Sequence, residues 1–202
     1  MIKKRCGWVN TDPLYLRYHD KEWGVPVYDD DRKQFEFLIL EAAQAGLSWI
    51  TVLRKRENYR KAFSGFDFQK VARYGKREIA LMMKDAGLIR NRLKIESAVH
   101  NASRFLEIRE EFGSFCRYAW QFVDGQPITH RWKSLSELPA KTPFSDAFSK
   151  DMKKRGFKFV GSTVLYAHMQ ALGMVNDHLT NCFRYQEVRR LCKPPRLVGV
   201  GR

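Results

Sequence analysis

The segment SKDMKKRGFKFVGST, residues 149–163, has the pattern of two helices joined by a tight turn. Gly156 stands where the first helix ends, and Gly161 comes directly before the second. Glycine lets a backbone turn sharply and approach a ligand closely, because it has no Cβ atom. The amides that open the second helix have no acceptor within that helix, so they are free to bind a phosphate.

Basic side chains surround this turn, namely Lys153, Lys154, Arg155 and Lys158. With the free amides they give the form of a helix-hairpin-helix clamp on a DNA backbone. An ordinary αα-turn explains the segment equally well, since a basic last turn already suits the dipole of the first helix. The segment alone therefore leaves both interpretations open.

The charge of the whole chain favours DNA. Among 202 residues, 37 Lys and Arg stand against 22 Asp and Glu, a formal net charge of +15. A domain this basic indicates a polyanionic partner, most often nucleic acid, although a solvated basic surface is also consistent with the charge. Hydrophobic residues make up 44%, which predicts a folded globular chain rather than a disordered one.

The sequence has the features of a cytoplasmic protein. No apolar run follows residues 1–5, and no stretch approaches the roughly 18 apolar residues that cross a bilayer. We therefore expect no membrane partner, and cysteines that stay reduced. Cys116 and Cys192 have no nearby cysteine or histidine and are expected to be ordinary residues.

Two doublets of cysteine and histidine lie at opposite ends of the chain. Cys6 and His19 are separated by twelve residues, and His178 and Cys182 are four apart. On a helix, a spacing of four places both side chains on one face. Two thiolates and two imidazoles complete a tetrahedral zinc site. The doublets predict one structural zinc ion per chain, which joins the N-terminal and C-terminal segments.

The remaining apolar patterns are helical, and the fold class is all-α. The segments predicted as helices are 35–53, 78–86, 95–106, 115–123, 144–152 and 162–173. The first is read as one buried helix, with Gly46 as a candidate break. We expect a single compact unit over residues 1–183, made of two helical lobes that share a cleft. A basic, partly flexible tail follows at 184–202.

Glu41 stands among apolar residues of the predicted buried helix. A carboxylate there is costly to bury unless another group pairs with it. One interpretation is a core glutamate paired with one of the many Arg and Lys side chains. The other is a carboxylate that lines a pocket for a ligand with hydrogen-bond donors or positive charge.

Aromatic residues are dense in the first quarter of the chain, at Trp8, Tyr15, Tyr18, Trp23 and Trp49. Any one of them is more often a core residue. Aromatic faces also stack on nucleobases and attract cations, and this favours a pocket beside Glu41.

Several long segments resemble the 3-methyladenine DNA glycosylase I family. They are CGWV at 6–9, DPLYLRYHDKEWGVP at 12–26, LEAAQAGLSWITVLRKRENYR at 40–60, KDAGLIRNRLKI at 84–95 and KKRGFKFVGSTVLYAHMQALGMVNDH at 153–178. The resemblance extends over nearly the whole chain up to about Cys182. The chain departs from the family pattern mainly in its basic tail, residues 184–202.

The resemblance implies a helix-hairpin-helix glycosylase fold and a monofunctional hydrolase that removes 3-methyladenine from double-stranded DNA. It implies a structural zinc on Cys6, His19, His178 and Cys182. It makes Glu41 the catalytic, base-recognising residue in a pocket with Tyr15, Tyr18, Trp23 and Trp49. It assigns DNA-backbone contacts to the hairpin, at Gly156, Lys158, Gly161, Ser162 and Thr163. The loop at Gly46 and Leu47 is implied to press into the duplex.

The residues also suit a mechanism in which a cationic base stacks between Tyr18 and Trp49 while Glu41 offsets its charge. No lysine is placed as a nucleophile, since Lys158 reads better as a phosphate contact, and Asp177 is expected to support the zinc site or cap a helix. We expect a monomer. There are two competing interpretations. One is a zinc-stabilised DNA-binding module without catalysis, and the other is an RNA-binding protein.

Overall fold

The computed structural model describes residues 3–191, and this part of the chain is mostly helical. The α-helices are α1 (Pro13–Lys21), α2 (Asp31–Gln44), α3 (Trp49–Ala62), α4 (Phe68–Val71), α5 (Lys76–Lys84), α6 (Arg92–Phe112), α7 (Phe115–Trp120), α8 (Pro143–Lys154), α9 (Ser162–Ala171) and α10 (Phe183–Leu191). Short 3-10 turns cover Ser64–Phe66, Gln121–Val123 and Leu135–Glu137. In the described residues, no helix combines the length and the apolar character that crossing a membrane requires.

Two strands of two residues each qualify the all-α prediction. β1 (Ile128–Thr129) and β2 (Val175–Asn176) pair in parallel, with Ile128 opposite Val175. The pair joins the loop after α7 to the segment after α9. Because it is so short, it acts as a tie between loops and leaves the fold essentially helical.

Helix α2 is the centre of the fold. Every residue from Gln34 to Ala43 is buried, and the helix packs against α3, α6, α7 and α9. The prediction of one helix over 35–53 is wrong, since α2 ends at Gln44 and α3 begins at Trp49. Gly46 lies in the break with φ +81°, a left-handed conformation that favours glycine. The candidate break is therefore a real turn between two helices.

The other predicted helices are found as α5 to α9, with ends that move by a few residues. Three helices are absent from the prediction, namely α1, the short α4 and α10. Helix α1 begins with Asp12, whose side chain accepts a hydrogen bond from the Leu14 amide, and with Pro13 in the first turn. Helix α10 occupies the start of the predicted tail, where Tyr185 and Val188 are buried. The remainder of that tail, from Cys192, lies outside the described residues.

The two ends of the described chain lie together. The Phe183 amide donates to the Lys4 carbonyl at 2.9 Å, and the Val27 amide donates to the Leu172 carbonyl at 3.0 Å. Gly173 adopts φ +68° beside this contact. A Cβ atom there would lie 2.4 Å from the Pro26 nitrogen, so the two backbones pack closely only because the residue is glycine.

Replacing Gly173 with alanine is therefore expected to destabilise the protein by several kcal/mol, because backbone atoms would have to move. Gly125→Ala is the matched control, since Gly125 also has a positive φ of 72° but open space around it. The control should cost only about 1–2 kcal/mol for its conformation. Urea unfolding of both variants measures the difference, and equal losses would contradict the close packing.

Candidate functional site

A cavity of about 190 Å³ opens beside helix α2 and is lined by aromatic side chains. Its lining includes all five residues predicted for a base pocket, Tyr15, Tyr18, Trp23, Glu41 and Trp49. It also includes Trp8, which belongs to the same group of N-terminal aromatic residues, and four residues that were not predicted, namely Gln44, Leu138, Ala167 and Gln170. The structure thus brings together side chains from both halves of the sequence.

Helix geometry explains how these side chains converge. Tyr15 and Tyr18 stand three apart on α1, and Ala167 and Gln170 stand three apart on α9, so each pair shares a helix face. Trp49 is the first residue of α3. Three helices therefore present their residues around the carboxylate that α2 supplies.

The carboxyl group of Glu41 is buried and unpaired. Glu41 is only 4% exposed, and no hydrogen bond or ion pair to its side chain is found within residues 3–191. Burial raises its pKa to about 8. The interpretation as an ion-paired core glutamate therefore does not hold. The group faces a cavity in which Tyr15 and Tyr18, the other ionisable residues, have raised pKa values through burial and stay neutral.

A second unpaired polar atom belongs to another residue of the cavity lining, Trp49. The indole nitrogen of Trp49 is buried and has no hydrogen-bond partner in the described part of the chain. An acceptor on Glu41 and a donor on Trp49 are thus both left unsatisfied in an aromatic enclosure. Buried polar groups are normally paired, so this combination is typical of a ligand site.

The expected sandwich of a base between Tyr18 and Trp49 does not match the ring geometry. The two ring centroids lie 5.3 Å apart with planes tilted by 51°. A flat ligand between them needs about 7 Å, twice a van der Waals separation. Both rings instead stack against Phe37, at 6.3 and 6.2 Å. A ligand would contact the ring surfaces that face the cavity.

The four predicted metal ligands come together and are all buried. The ligand atoms of Cys6, His19, His178 and Cys182 lie within 4.8 Å of one another. Sulfur and nitrogen atoms approach to 3.6 Å between Cys6 and His178, and to 3.5 Å between Cys182 and His19. This cluster can hold one metal ion. A hydrogen bond from Cys6 is the largest of the effects that lower the pKa of the Cys182 thiol.

The helix expected for His178 and Cys182 is not formed. Both residues lie in the segment between β2 and α10, where the Cys182 amide donates to the Leu179 carbonyl at 2.8 Å. A tight turn therefore brings a pair spaced by four together, as a helix would. The spacing alone does not distinguish the two.

In each histidine of the cluster, the ring nitrogen that faces away from the cysteines contacts an oxygen atom, and this contact orients the ring. His19 Nδ1 lies 2.8 Å from Asp20, whose carboxylate also accepts two hydrogen bonds from Arg5. His178 Nε2 lies 3.1 Å from the Trp23 carbonyl oxygen. Such contacts fix the nitrogen that faces a metal.

The cluster also touches the cavity wall. The Trp8 ring lies 5.2 Å from that of His19, and the Trp23 ring lies 4.6 Å from that of His178, both edge to face. The imidazoles of His19 and His178 thus pack behind Trp8 and Trp23, two residues of the cavity wall.

Asp177 has a different role from the one expected. Its two oxygens accept hydrogen bonds from His130, Trp132, Tyr166 and Gln170 at 2.5–2.8 Å. Burial alone would raise its pKa, but these donors lower it. Asp177 therefore anchors the cavity residue Gln170, and within residues 3–191 its side chain forms no hydrogen bond or ion pair with Cys6, His19, His178 or Cys182.

The residues predicted to contact a DNA backbone lie apart from the cavity, in the turn between α8 and α9. Gly156 has φ +84°, Gly161 precedes α9, and Ser162 and Thr163 open that helix. Within residues 3–191 the amides of 159–163 have no hydrogen-bond acceptor.

The basic residues around this turn do not all remain available. Lys158 is exposed, but Arg155 is held by Asp151 at 2.7 Å and Glu111 at 2.6 Å. The charge expected from Arg155 is therefore already neutralised by the protein.

A larger cavity of about 550 Å³ lies on another side of Tyr18. Its lining is mainly charged, and its carboxylates are already paired. Glu22 accepts two hydrogen bonds from Arg56 and contacts Lys33, while Glu36 contacts Arg56 and Arg60. This satisfied network suits a ligand less well than the smaller aromatic cavity, where polar groups lack partners.

Comparison with known proteins fits this geometry. The family model for methyladenine glycosylase matches residues 8–185. DNA-3-methyladenine glycosylase 1 of Escherichia coli (strain K12) is 51% identical over 182 residues, which cover 90% of this chain and 97% of the relative.

Solved structures agree. A crystal structure of 3-methyladenine DNA glycosylase I superposes with a TM-score of 0.87 at 51% identity, covering 89% of this chain and 98% of that one. The Staphylococcus aureus enzyme, studied for its recognition of 3-methyladenine, gives a TM-score of 0.85 at 36% identity, covering 89% and 95%. The family resemblance seen in the sequence is confirmed: the chain belongs to the methyladenine glycosylase family.

Proposed function

We infer that this chain hydrolyses the N-glycosidic bond of 3-methyladenine in alkylated DNA, releasing the free base and leaving an abasic site. The observation that carries this proposal is the buried, unpaired carboxyl of Glu41 in an aromatic cavity. The relatives named above bear the name of this activity. A non-catalytic DNA-binding module would have no use for such a carboxyl.

Charge explains how the cavity selects its base. An adenine methylated at N3 carries a formal positive charge while it is attached to the sugar, which weakens the glycosidic bond. When this cation enters, attraction to the Glu41 carboxylate offsets the cost of ionising a buried acid. Neutral adenine gives no such attraction. Aromatic faces add cation–π attraction for the methylated base.

The chemical step then needs little further catalysis. The glycosidic bond breaks with its electron pair passing to the base, which leaves as neutral 3-methyladenine. A water molecule adds to the sugar carbon and releases one proton to solvent. No lysine lines the cavity within residues 3–191, so we assign no covalent enzyme intermediate. Asp177 is fully used by its four donors and is unsuited to stabilise the sugar cation. We therefore propose a monofunctional glycosylase, and we propose separately that it works as a monomer.

We assign DNA docking to the turn 156–161, as a helix-hairpin-helix clamp. Its free amides and the exposed Lys158 suit a phosphate. The loop between α2 and α3 suits contact with the duplex beside the lesion, because Leu47 is 42% exposed and adjoins two cavity residues, Gln44 and Trp49.

Zinc is the metal that the buried cluster fits best. Bonds of about 2.3 Å to sulfur and about 2.0–2.1 Å to nitrogen put sulfur and nitrogen about 3.5–3.6 Å apart in a tetrahedron. Three of the sulfur–nitrogen distances here are 3.5–3.7 Å, and all four ligand atoms lie within 4.8 Å of one another. With four protein ligands the ion would have no open position, so its role is structural. It would hold His19 and His178, and through them Trp8 and Trp23.

Glu41→Gln should lower the excision rate about a hundredfold, because the variant loses its charge attraction to the cationic base. Trp49→Ala should lower it about tenfold or more. Release of free base from methylated DNA, corrected for spontaneous loss, measures both rates. Binding to undamaged duplex should stay near that of the control Glu110→Gln, which alters an exposed residue. Unchanged excision in both variants would reject the pocket assignment.

The pH dependence of excision should follow the ionisation of Glu41. Because burial raises its pKa to about 8, kcat/KM should rise with pH up to about that value and then level off. Glu41→Gln should abolish this rise, whereas Glu110→Gln should keep it. A wild-type profile that is flat from pH 6 to 9 would contradict the role of Glu41.

Stability should change in the opposite direction from activity. A carboxyl whose pKa rises from 4.5 to about 8 on folding opposes folding at every pH above 4.5, and the penalty grows until pH 8. Glu41→Gln should therefore raise the free energy of unfolding by about 2–3 kcal/mol at pH 7. The gain should vanish near pH 4. Urea unfolding at both pH values measures it, and a loss of stability at pH 7 would contradict the unpaired carboxyl.

Purified protein should contain one zinc ion per chain, and chelation should lower the unfolding midpoint. Cys182→Ser should lose zinc and stability together. Cys116→Ser is the control, since Cys116 is equally buried but lies outside the cluster. Atomic absorption and thermal unfolding provide the measurements, and zinc far below one per chain would reject the site.

A further inference from the structure

Helix α6 forms side-chain hydrogen bonds with two segments that flank the candidate site. One is the end of α2, where the loop 45–48 begins, and the other is the turn 156–161. The contacts come from Lys94 and Asn101, which stand seven residues apart and so on one face of the helix. Two helical turns separate them by about 10.5 Å.

Lys94 closes the end of helix α2. Its Nζ donates to the carbonyl of Ala43 at 2.8 Å and to that of Ala45 at 2.6 Å. Helix α2 has no basic residue in its own last turn, so Lys94 supplies the hydrogen-bond donor and the positive charge that its final carbonyls lack. No carboxylate pairs with Lys94 in residues 3–191. Immediately afterwards the chain turns at Gly46 and exposes Leu47.

Asn101 holds the turn between α8 and α9. Its Nδ2 donates to the Lys158 carbonyl at 2.8 Å, and its Oδ1 accepts from the Lys158 amide at 2.9 Å. The side chain is buried, with 3% of the residue exposed. A reciprocal pair of this kind fixes the two peptide groups on either side of the Lys158 Cα atom.

Two more side chains hold alternate carbonyls of the same turn. His100 lies 2.9 Å from the Gly156 oxygen, and Ser149 donates to the Val160 oxygen at 2.7 Å. Phe159 is held at φ +56°, a conformation that costs a non-glycine residue on the order of 1–2 kcal/mol. With these three carbonyls held by side chains, the turn still offers the amides of 159–163 as hydrogen-bond donors.

We propose that Lys94 and Asn101 are positioning residues, through which helix α6 fixes the separation of the loop 45–48 from the turn 156–161, so that both engage one DNA duplex. The inference rests on the proposed function, since it assumes that both segments contact DNA. Lys94 acts on the segment beside the lesion, and Asn101 acts on the phosphate contact. Neither side chain lines the aromatic cavity.

The roles of Lys94 and Asn101 can be distinguished, because the two residues should affect different quantities, the excision rate and the affinity for duplex. Asn101→Leu removes both bonds to Lys158 and should weaken binding to undamaged duplex about tenfold, with a smaller salt dependence. Its excision rate at saturating enzyme should stay near wild type. Lys94→Met should do the reverse, lowering the saturated single-turnover rate about tenfold and changing duplex affinity little. Lys94→Arg, which keeps charge and donors, should restore most of the rate.

Matched controls lie close by. Ser97→Ala removes a buried hydroxyl between the two positions that bonds only within α6, to the Lys94 carbonyl at 2.8 Å. Lys61→Met removes one exposed positive charge elsewhere. All variants should bind free 3-methyladenine with wild-type affinity, measured by quenching of tryptophan fluorescence.

Two results would overturn the proposal. One is that Lys94→Met and Asn101→Leu both behave like their controls. The other is that both lose duplex binding, excision and free-base binding in parallel, which indicates a general loss of structure. A wild-type protein that binds duplex but releases no base would instead reject the proposed activity, and the affinity of Asn101→Leu would still decide its part of the inference.

Discussion

Helix α2 is buried on every side from Gln34 to Ala43, and a polar side chain in this stretch is costly to bury without a partner. Gln34 bonds to His168 at 2.9 Å, and Glu36 bonds to Arg56 and Arg60 at 2.9 and 3.0 Å. Glu41 alone among the acidic residues of the buried stretch is left without one. The same constraint that organises the core thus singles out the residue around which the candidate site is built.

The candidate site depends on contacts between distant parts of the chain. The rings of Trp8 and Trp23 pack edge to face against the imidazoles of His19 and His178. The side chain of Gln170 is anchored by a hydrogen bond to Asp177. His178 and Asp177 come from the segment after α9, which packs against the N-terminal residues, whereas His19 lies on α1. Positions far from Glu41 in sequence therefore control the shape of the cavity, and the rigidity of the site belongs to the fold as a whole.

The sequence was enough to predict that Cys6, His19, His178 and Cys182 cluster and that five residues line the cavity, because these predictions depend on residue type and on a family resemblance. It did not give the local path of the chain. Cys182 and His178 are spaced as on a helix but meet in a turn. Asp12 and Pro13 are typical of a helix start, yet helix α1 was not predicted. Gln170 had no signal at all, because its place in the cavity depends on a hydrogen bond to Asp177.

The raised pKa of Glu41 has a consequence for binding itself. At neutral pH the carboxyl is mostly protonated, so the cavity is electrically neutral before a ligand enters. A cationic base that pairs with the carboxylate must displace that proton into solution. Recognition then becomes an exchange of one positive charge for another, and the heat of binding depends on the buffer that takes up the proton.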